Sequence, residues 1–171
     1  MRALNIRKRK MELALENLQK KIALNPPRIL NVVKTILRHE GVTHASLSIV
    51  FVTRQRITAL NKRFLRRYYA TDVLAFDLKE SQTRVSRIPR KGKGKSISGD
   101  IIISTDAALK NAQLYKTDTA HEIVLYLIHG ILHLLGYGDY KPMDVRIMRK
   151  KELDLLEYLG ANIKKVLKTG K

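Results

Sequence analysis

The sequence predicts a single α+β domain in which a mixed sheet of four to five strands packs against helices. Short runs rich in β-branched residues alternate along the chain with segments whose apolar residues recur at helical spacing. A length of 171 residues and a hydrophobic fraction of 44% suit one domain with a sizeable core. Because no repeat and no sharp boundary divides the chain, we expect a core domain over residues 13–160. A basic N-terminal arm at 1–12 and a basic C-terminal tail at 161–171 flank it.

The first half of the chain predicts two strands and two helices. A first strand fits within Leu13–Ile22, and a helix is nearly as good an interpretation of these residues. Asn25-Pro26-Pro27 starts a helix, because proline is tolerated in the first turn, and Gly41 ends it. Ala45–Val52 (ASLSIVFV) alternates and then becomes β-branched, as a strand does. Thr53 can cap a helix that continues to about residue 65.

The next part predicts two further strands, separated by a basic loop. Thr71–Leu78 (TDVLAFDL) has the composition of a strand. Lys79–Ser98 contains seven Lys or Arg, one Glu, a proline and two glycines, so we expect an exposed loop. Gly99-Asp100 then leads into the buried-type strand Ile101–Ile103, and Thr105 caps a helix to about residue 115.

Two helices complete the predicted domain. Asp118 caps a long apolar helix that ends near Gly136, and Lys141-Pro142 opens the last helix, which Gly160 breaks. The predicted buried face of the last helix consists of Val145, Met148, Leu153, Leu156 and Leu159.

The composition narrows the class of partner. A formal net charge of +19 favours a polyanion such as RNA, held through phosphate contacts and counterion release. There is no apolar run long enough to cross a bilayer, so we expect no membrane partner. The N-terminus lacks the features of a secretory signal, and we expect a cytoplasmic protein. The absence of Cys excludes a disulfide-linked partner and any thiolate metal ligand.

Two of the five histidines lie four residues apart on the long apolar helix. His129 and His133 therefore share one helix face, within reach of a single ion. Neutral imidazole is a good ligand for zinc and other first-row transition metals. Asp139 follows Gly136 and Gly138, whose turn allows the chain to fold back over the pair. Two helical histidines and a third ligand leave one coordination position open, which is typical of catalytic sites.

The alternative is that two core histidines happen to lie four residues apart, and the residues alone leave both interpretations open. Gly130 follows His129, so the motif is not HExxH and no helix carboxylate stands ready as a general base.

Three segments carry a family resemblance. His129–Asp139 (HGILHLLGYGD) resembles HGxLHLxGYDH, the signature of the YbeY endoribonuclease family. Leu60-Asn61 followed by Thr71–Phe76 (TDVLAF) is similar to the LN…TDVLSF segment of the family, and Gly99-Asp100-Ile101 to its GDI strand start. The resemblance extends from about residue 13 to residue 160.

The resemblance implies a single-strand-specific, zinc-dependent endoribonuclease that acts in rRNA maturation and ribosome quality control. Its partners would be RNA and ribosomal particles, and each chain would hold one Zn²⁺. The family has a third histidine as ligand where this chain has Asp139. Because a carboxylate is a harder ligand than imidazole, Mn²⁺ and Fe²⁺ are candidates as well.

The position of the third ligand can be aligned in two ways. Asp139 either replaces the third histidine of the family or, with one inserted glycine, corresponds to the aspartate that precedes it. The family has a Met nine residues after the third ligand and a Glu four residues further on. Met148 and Glu152 stand at those distances from Asp139 without a gap. The comparison therefore favours Asp139 as the third ligand.

A second departure concerns a functional arginine, which the family places directly after the aromatic residue of the LN…TDVLSF segment. Here Phe64 is followed by Leu65 and then by Arg66 and Arg67. Either Arg66 takes over the catalytic role of the family arginine or that role is lost. Alternatively, Arg66 and Arg67 are only charged surface residues. We assign Arg66 as catalytic and Arg63 and Arg67 as substrate-binding.

Leu65 and Asp139 favour an alternative function, a non-catalytic ribosome-associated RNA-binding protein. A metal-dependent hydrolase of another substrate is a further alternative, which the charge disfavours. Tyr68 and Tyr69 can stack on bases or pack at the rim of the core.

Overall fold

The computed structural model describes residues 10–78 and 95–168, and the rest of the predicted arm, loop and tail lies outside these ranges. The described part contains four strands and five α-helices. In chain order they are β1 (Lys10–Asn17), α1 (Pro26–His39), β2 (Val42–Val52), α2 (Arg54–Leu65), β3 (Val73–Asp77), β4 (Lys95–Ser104), α3 (Thr105–Tyr115), α4 (Thr119–Leu134) and α5 (Pro142–Leu159). Two short 3₁₀ helices, Gly160–Asn162 and Lys164–Val166, follow α5.

The strands form one mixed sheet in the order β1-β2-β4-β3. β1, β2 and β4 are parallel, and the edge strand β3 runs antiparallel to β4. Parallel neighbours need a crossover connection, which α1 provides between β1 and β2. The register pairs Leu15 with Ile49 and Ile49 with Ile101. This architecture confirms the predicted α+β class and its mixed sheet.

Alternate side chains of the strands bury two different faces of the sheet. Ile49, Ile101 and Ile103 belong to the main core, which includes the buried residues of α1 and α4. Val52 and Leu74 lie on the opposite face and pack with Ile57 of α2 in a smaller cluster. The histidine helix α4 and the arginine-bearing helix α2 therefore cover opposite faces of the sheet.

Two glycines allow α4 to lie close to the sheet. A Cβ on Gly130 would stand 2.8 Å from Cγ2 of Ile101 in β4. A Cβ on Gly99 would stand 2.4 Å from the Phe76 carbonyl oxygen and 2.8 Å from Cδ2 of Leu134. The missing side chains thus set how near the C-terminal end of α4 comes to β3 and β4.

Two strands begin earlier than the sequence predicted. β1 starts at Lys10, inside the segment assigned to a basic arm, because its side chains alternate between exposed charges and the partly buried Met11 and Leu13. β4 starts at Lys95, inside the predicted loop Lys79–Ser98. Lys10 and Lys95 face solvent. Because charged residues of this kind are typical of loops, the sequence did not indicate that the two strands begin there.

Two further details of the prediction were wrong. Ser104, and not Thr105, caps α3, since its hydroxyl accepts a hydrogen bond from the backbone N–H of Ala107 at 3.2 Å. Leu153 is exposed on α5, and Leu155 is buried in its place.

The segment after α5 packs against the domain in its described part. Val166 is fully buried, and Leu24 and Leu167 form an isolated antiparallel bridge. Residues 161–168, predicted as part of a basic tail, thus contribute to the core at the start of α1. In the described ranges, none of the helices combines the length and apolar character that crossing a bilayer requires.

Candidate metal centre

The centre begins with two imidazoles near the C-terminal end of α4. His129 and His133 lie four residues apart, so both side chains project from the same face of the helix. Their ring centroids are 4.4 Å apart and the ring planes stand at 84° to each other. Both side chains are partly exposed, so the pair is accessible from solvent.

Each imidazole is oriented through its Nδ1 atom. Nδ1 of His129 lies 2.6 Å from Oε1 of Glu152 in α5. Nδ1 of His133 lies 3.0 Å from the backbone carbonyl oxygen of Tyr137. Both partners accept hydrogen bonds, so in the neutral form of each ring Nδ1 carries the donated proton and Nε2 presents a lone pair.

The two Nε2 atoms face one another at 2.8 Å. Oδ2 of Asp139 completes the group, at 3.8 Å from Nε2 of His129 and 3.6 Å from Nε2 of His133. The three ligand atoms lie within 4.8 Å of one another. Two lone pairs and a carboxylate oxygen that converge on one point attract a cation, and this donor set fits a divalent metal ion.

The turn after α4 builds this geometry locally. Gly136 has a φ of 92°, which favours glycine, and its N–H donates to the His133 carbonyl oxygen at 2.9 Å. The N–H of Tyr137 then donates to the Leu132 carbonyl oxygen at 3.0 Å. This reversal brings the Tyr137 carbonyl to the His133 ring and carries the chain on to Asp139.

Burial, together with the neighbouring His129, holds the pKa of His133 below its ordinary value. At neutral pH the ring is therefore uncharged, which is the form that binds metal ions.

Glu152 belongs to the site, and sequence reasoning missed its contact with His129. It was used only to fix the alignment, yet its carboxylate holds His129 in place across α4 and α5. A carboxylate or carbonyl on the remote nitrogen of a ligating histidine is the usual arrangement in metal sites. A signal was available, because Glu152 lies four residues after the buried Met148 and four before the buried Leu156, on the inward face of α5.

We expect Glu152→Gln to weaken metal binding about tenfold, since loss of an orienting partner costs roughly 10–100-fold in affinity. The measurement is a competition titration of the metal-free protein with Zn²⁺ and a chromophoric chelator. Glu157→Gln, at an exposed position of the same helix, is the matched control and should leave the affinity unchanged. Equal affinities for the two variants would contradict the orienting role.

The predicted arginines stand apart from this cluster. Arg63 lies in the last turn of α2, and Arg66 is its C-cap residue with a left-handed φ of 55°, directly before Arg67. In residues 10–78 and 95–168, no hydrogen bond or ion pair joins these arginines to His129, His133 or Asp139. The structure thus brings together the three predicted metal ligands, and it leaves the arginines at the end of α2.

A polar network links the start of α4 to a groove of about 820 Å³ at the carboxyl ends of β2 and β4. Nδ2 of Asn111 donates to the Tyr126 hydroxyl at 2.9 Å and to Oδ2 of Asp72 at 3.4 Å. The Tyr126 hydroxyl in turn donates to Glu122 at 3.3 Å. Burial, with Glu122 nearby, raises the pKa of Asp72. The network therefore holds α4 against α3 and the loop before β3.

The family model described as Endoribonuclease YbeY matches residues 14–160. A protein named Endoribonuclease YbeY from Syntrophus aciditrophicus is 32% identical over 147 residues, 85% of this chain and 88% of that relative. Another of that name from Desulforamulus reducens is 34% identical over 156 residues, 89% of this chain and 99% of the relative. The solution structure of a Thermotoga maritima protein shares the fold, with a TM-score of 0.56, 20% identity, and coverage of 93% of this chain and 99% of that one. Matched across nearly all of its core domain, this chain belongs to the YbeY endoribonuclease family.

Proposed function

We propose that this protein is a cytoplasmic, metal-dependent endoribonuclease that cleaves single-stranded RNA in rRNA maturation and ribosome quality control. The observation that carries the proposal is the convergence of the two Nε2 atoms and the Asp139 carboxylate on one point. The name shared by the curated relatives supports RNA as the substrate. The net charge of +19 suits a polyanionic substrate.

His129, His133 and Asp139 would hold one divalent ion, with Zn²⁺ as the first candidate and Mn²⁺ and Fe²⁺ as alternatives. Such an ion, when bound, supplies Lewis acidity toward a phosphoryl oxygen and makes water a stronger acid. Glu152 and the Tyr137 carbonyl keep the two imidazoles in their binding orientation. We assign Arg66 to neutralise charge on the scissile phosphate, and Arg63 and Arg67 to bind the flanking phosphates of the strand.

A second candidate is a non-catalytic RNA-binding protein of the ribosome. One observation favours it: in the part of the chain that the structure describes, no hydrogen bond or ion pair joins the arginines assigned to the phosphate to the histidine cluster.

The test uses the full chain and one end-labelled RNA, offered single-stranded and as a duplex. We expect no cleavage after removal of metal with a chelator, and recovery on addition of Zn²⁺, Mn²⁺ or Fe²⁺, with the duplex resistant. The ion that restores the highest rate at matched occupancy identifies the cofactor. Bound metal and RNA binding without cleavage would overturn the nuclease and establish the binding protein.

A further inference from the structure

An open aromatic surface lies at the end of α2, outside the metal centre. We define the aromatic patch as Phe64, Tyr68 and Tyr69, which are 56%, 74% and 57% exposed. We propose that this patch is a stacking platform for the bases of single-stranded RNA, with Tyr68, the most exposed of the three rings, as its main contact. The proposal rests on the proposed function, because it states where the RNA strand is held.

Cations accompany two rings of the patch. Nζ of Lys62 lies 5.1 Å from the centroid of the Tyr68 ring. Cζ of Arg63 lies 5.5 Å from the centroid of the Phe64 ring. Each ring thus combines a π surface for a base with a positive charge for the adjoining phosphate, the combination that sequence-tolerant single-strand binding uses.

Hydrogen bonds of Asn61 and a contact with β3 hold the residues of the patch in place. Nδ2 of the buried Asn61 donates to the Tyr69 carbonyl oxygen at 2.8 Å, and the Arg67 N–H donates to the Asn61 carbonyl oxygen at 3.3 Å. The Phe64 ring also packs edge-on against Phe76 of β3, with centroids 5.6 Å apart. The rings are therefore presented by a fixed backbone, which lowers the entropic cost of binding a strand.

The charge around the patch decides the class of occupant. From residue 54 to residue 70 the chain carries six Lys or Arg and no Asp or Glu. Such a surface attracts a polyanion, and its exposed rings can stack on bases whose faces are free. A duplex hides its base faces inside the helix, whereas a single strand offers them. The patch therefore suits a single strand better than a duplex.

The patch and the histidine helix both adjoin the edge strand β3, on opposite faces of the sheet. The patch directly precedes the edge strand β3, and α4, which carries the histidine pair, packs against β3 and β4. An RNA strand held on the patch therefore lies beside β3, on the face of the sheet opposite α4.

The first test measures binding of an end-labelled oligouridine to the full chain in EDTA, where no metal-dependent cleavage occurs. We expect Tyr68→Ala to raise Kd about tenfold, because one base stack is lost. Tyr115→Ala is the matched control, since Tyr115 is 65% exposed at the end of α3. Its Kd should stay within about twofold of the wild-type value. Equal Kd values for the two variants would overturn the platform, and so would an equal loss on a duplex RNA.

The second test measures the fluorescence of a tryptophan introduced at position 68. The chain has no Trp, so Tyr68→Trp introduces a single indole at the patch, and Tyr115→Trp places one elsewhere. We expect oligouridine to quench the Tyr68→Trp emission and to leave the Tyr115→Trp emission unchanged. No quenching at position 68 under saturating RNA would overturn the platform.

These binding measurements are independent of cleavage. Wild-type RNA binding with quenching but without metal-dependent cleavage would refute the proposed nuclease and keep the platform. Metal-dependent cleavage with no effect of Tyr68→Ala on Kd would refute the platform and keep the proposed nuclease.

Discussion

His133→Ala is expected to abolish metal-dependent RNA cleavage, lowering the rate at least about a thousandfold. A metal ion contributes several kcal/mol to stabilising the transition state of such a reaction, and each 1.36 kcal/mol is worth a factor of about ten. Without His133, only Nε2 of His129 and the Asp139 carboxylate remain as candidate ligands, because the described residues contain no other cluster of three His, Cys, Asp or Glu that could hold the ion. The measurement is single-turnover cleavage of labelled RNA, with the metal content of each preparation determined alongside.

His121→Ala is the matched control, because His121 lies on the same helix and outside the cluster. It should keep both its metal and its activity. The His133→Ala protein should also bind RNA in EDTA as the wild type does, since the aromatic patch is on the other side of the sheet. Cleavage by His133→Ala at a rate within tenfold of wild type would contradict the assignment of this cluster.

Gly99→Ala is expected to lower the free energy of unfolding by about 3 kcal/mol, which corresponds to a fall in Tm of about 10 °C. The added Cβ would stand 2.4 Å from the Phe76 carbonyl oxygen, a backbone atom fixed by the pairing of β3 with β4. Gly99 is also paired with Leu47 of β2, so its own strand is held on the other side as well. Thermal and urea unfolding followed by circular dichroism would measure the loss.

Two other glycines give a graded control for this prediction. In Gly130→Ala the new Cβ meets only the side chain of Ile101, at 2.8 Å, so we expect a smaller loss. In Gly138→Ala the nearest atom is Oδ2 of Asp144 at 3.6 Å, an ordinary contact, and stability should hardly change. If the losses of stability do not fall in the order Gly99→Ala, Gly130→Ala, Gly138→Ala, then the close contacts of Gly99 with Phe76 and Leu134 do not determine its tolerance of a side chain.

The elements with strong local signals were predictable from sequence. The proline pair at Pro26-Pro27 marked the start of α1, and the β-branched run before Thr53 marked β2. The ends of β1 and β4 were not predictable, because Lys10 and Lys95 are charged residues on strands and resemble loop or arm residues in isolation. Tertiary pairing with β2 decides their conformation, and composition carries no information about that pairing.

For the site, spacing predicted which side chains would meet but not what orients them. The i, i+4 relation of His129 and His133 and the glycine turn before Asp139 are local, so their convergence follows from helix geometry. The orientation of His133 depends on the Tyr137 carbonyl, a backbone atom that every residue possesses and that no pattern distinguishes. The orientation of His129 depends on Glu152, which is 23 residues away and reaches the ring only once α5 has packed on α4.

All three candidate ligands and the orienting carboxylate lie between residues 129 and 152, within a single helical hairpin. The sheet, by contrast, joins distant parts of the chain, as in the pairing of Leu15 with Ile49. Bringing the ligands together therefore costs only the chain entropy of closing a short turn. The candidate ligands and their orienting carboxylate thus all come from one hairpin, and the parallel strands form the sheet on which α4 packs. A substitution in β1 or β2 is consequently expected to alter the stability of the domain and to leave the ligand set unchanged.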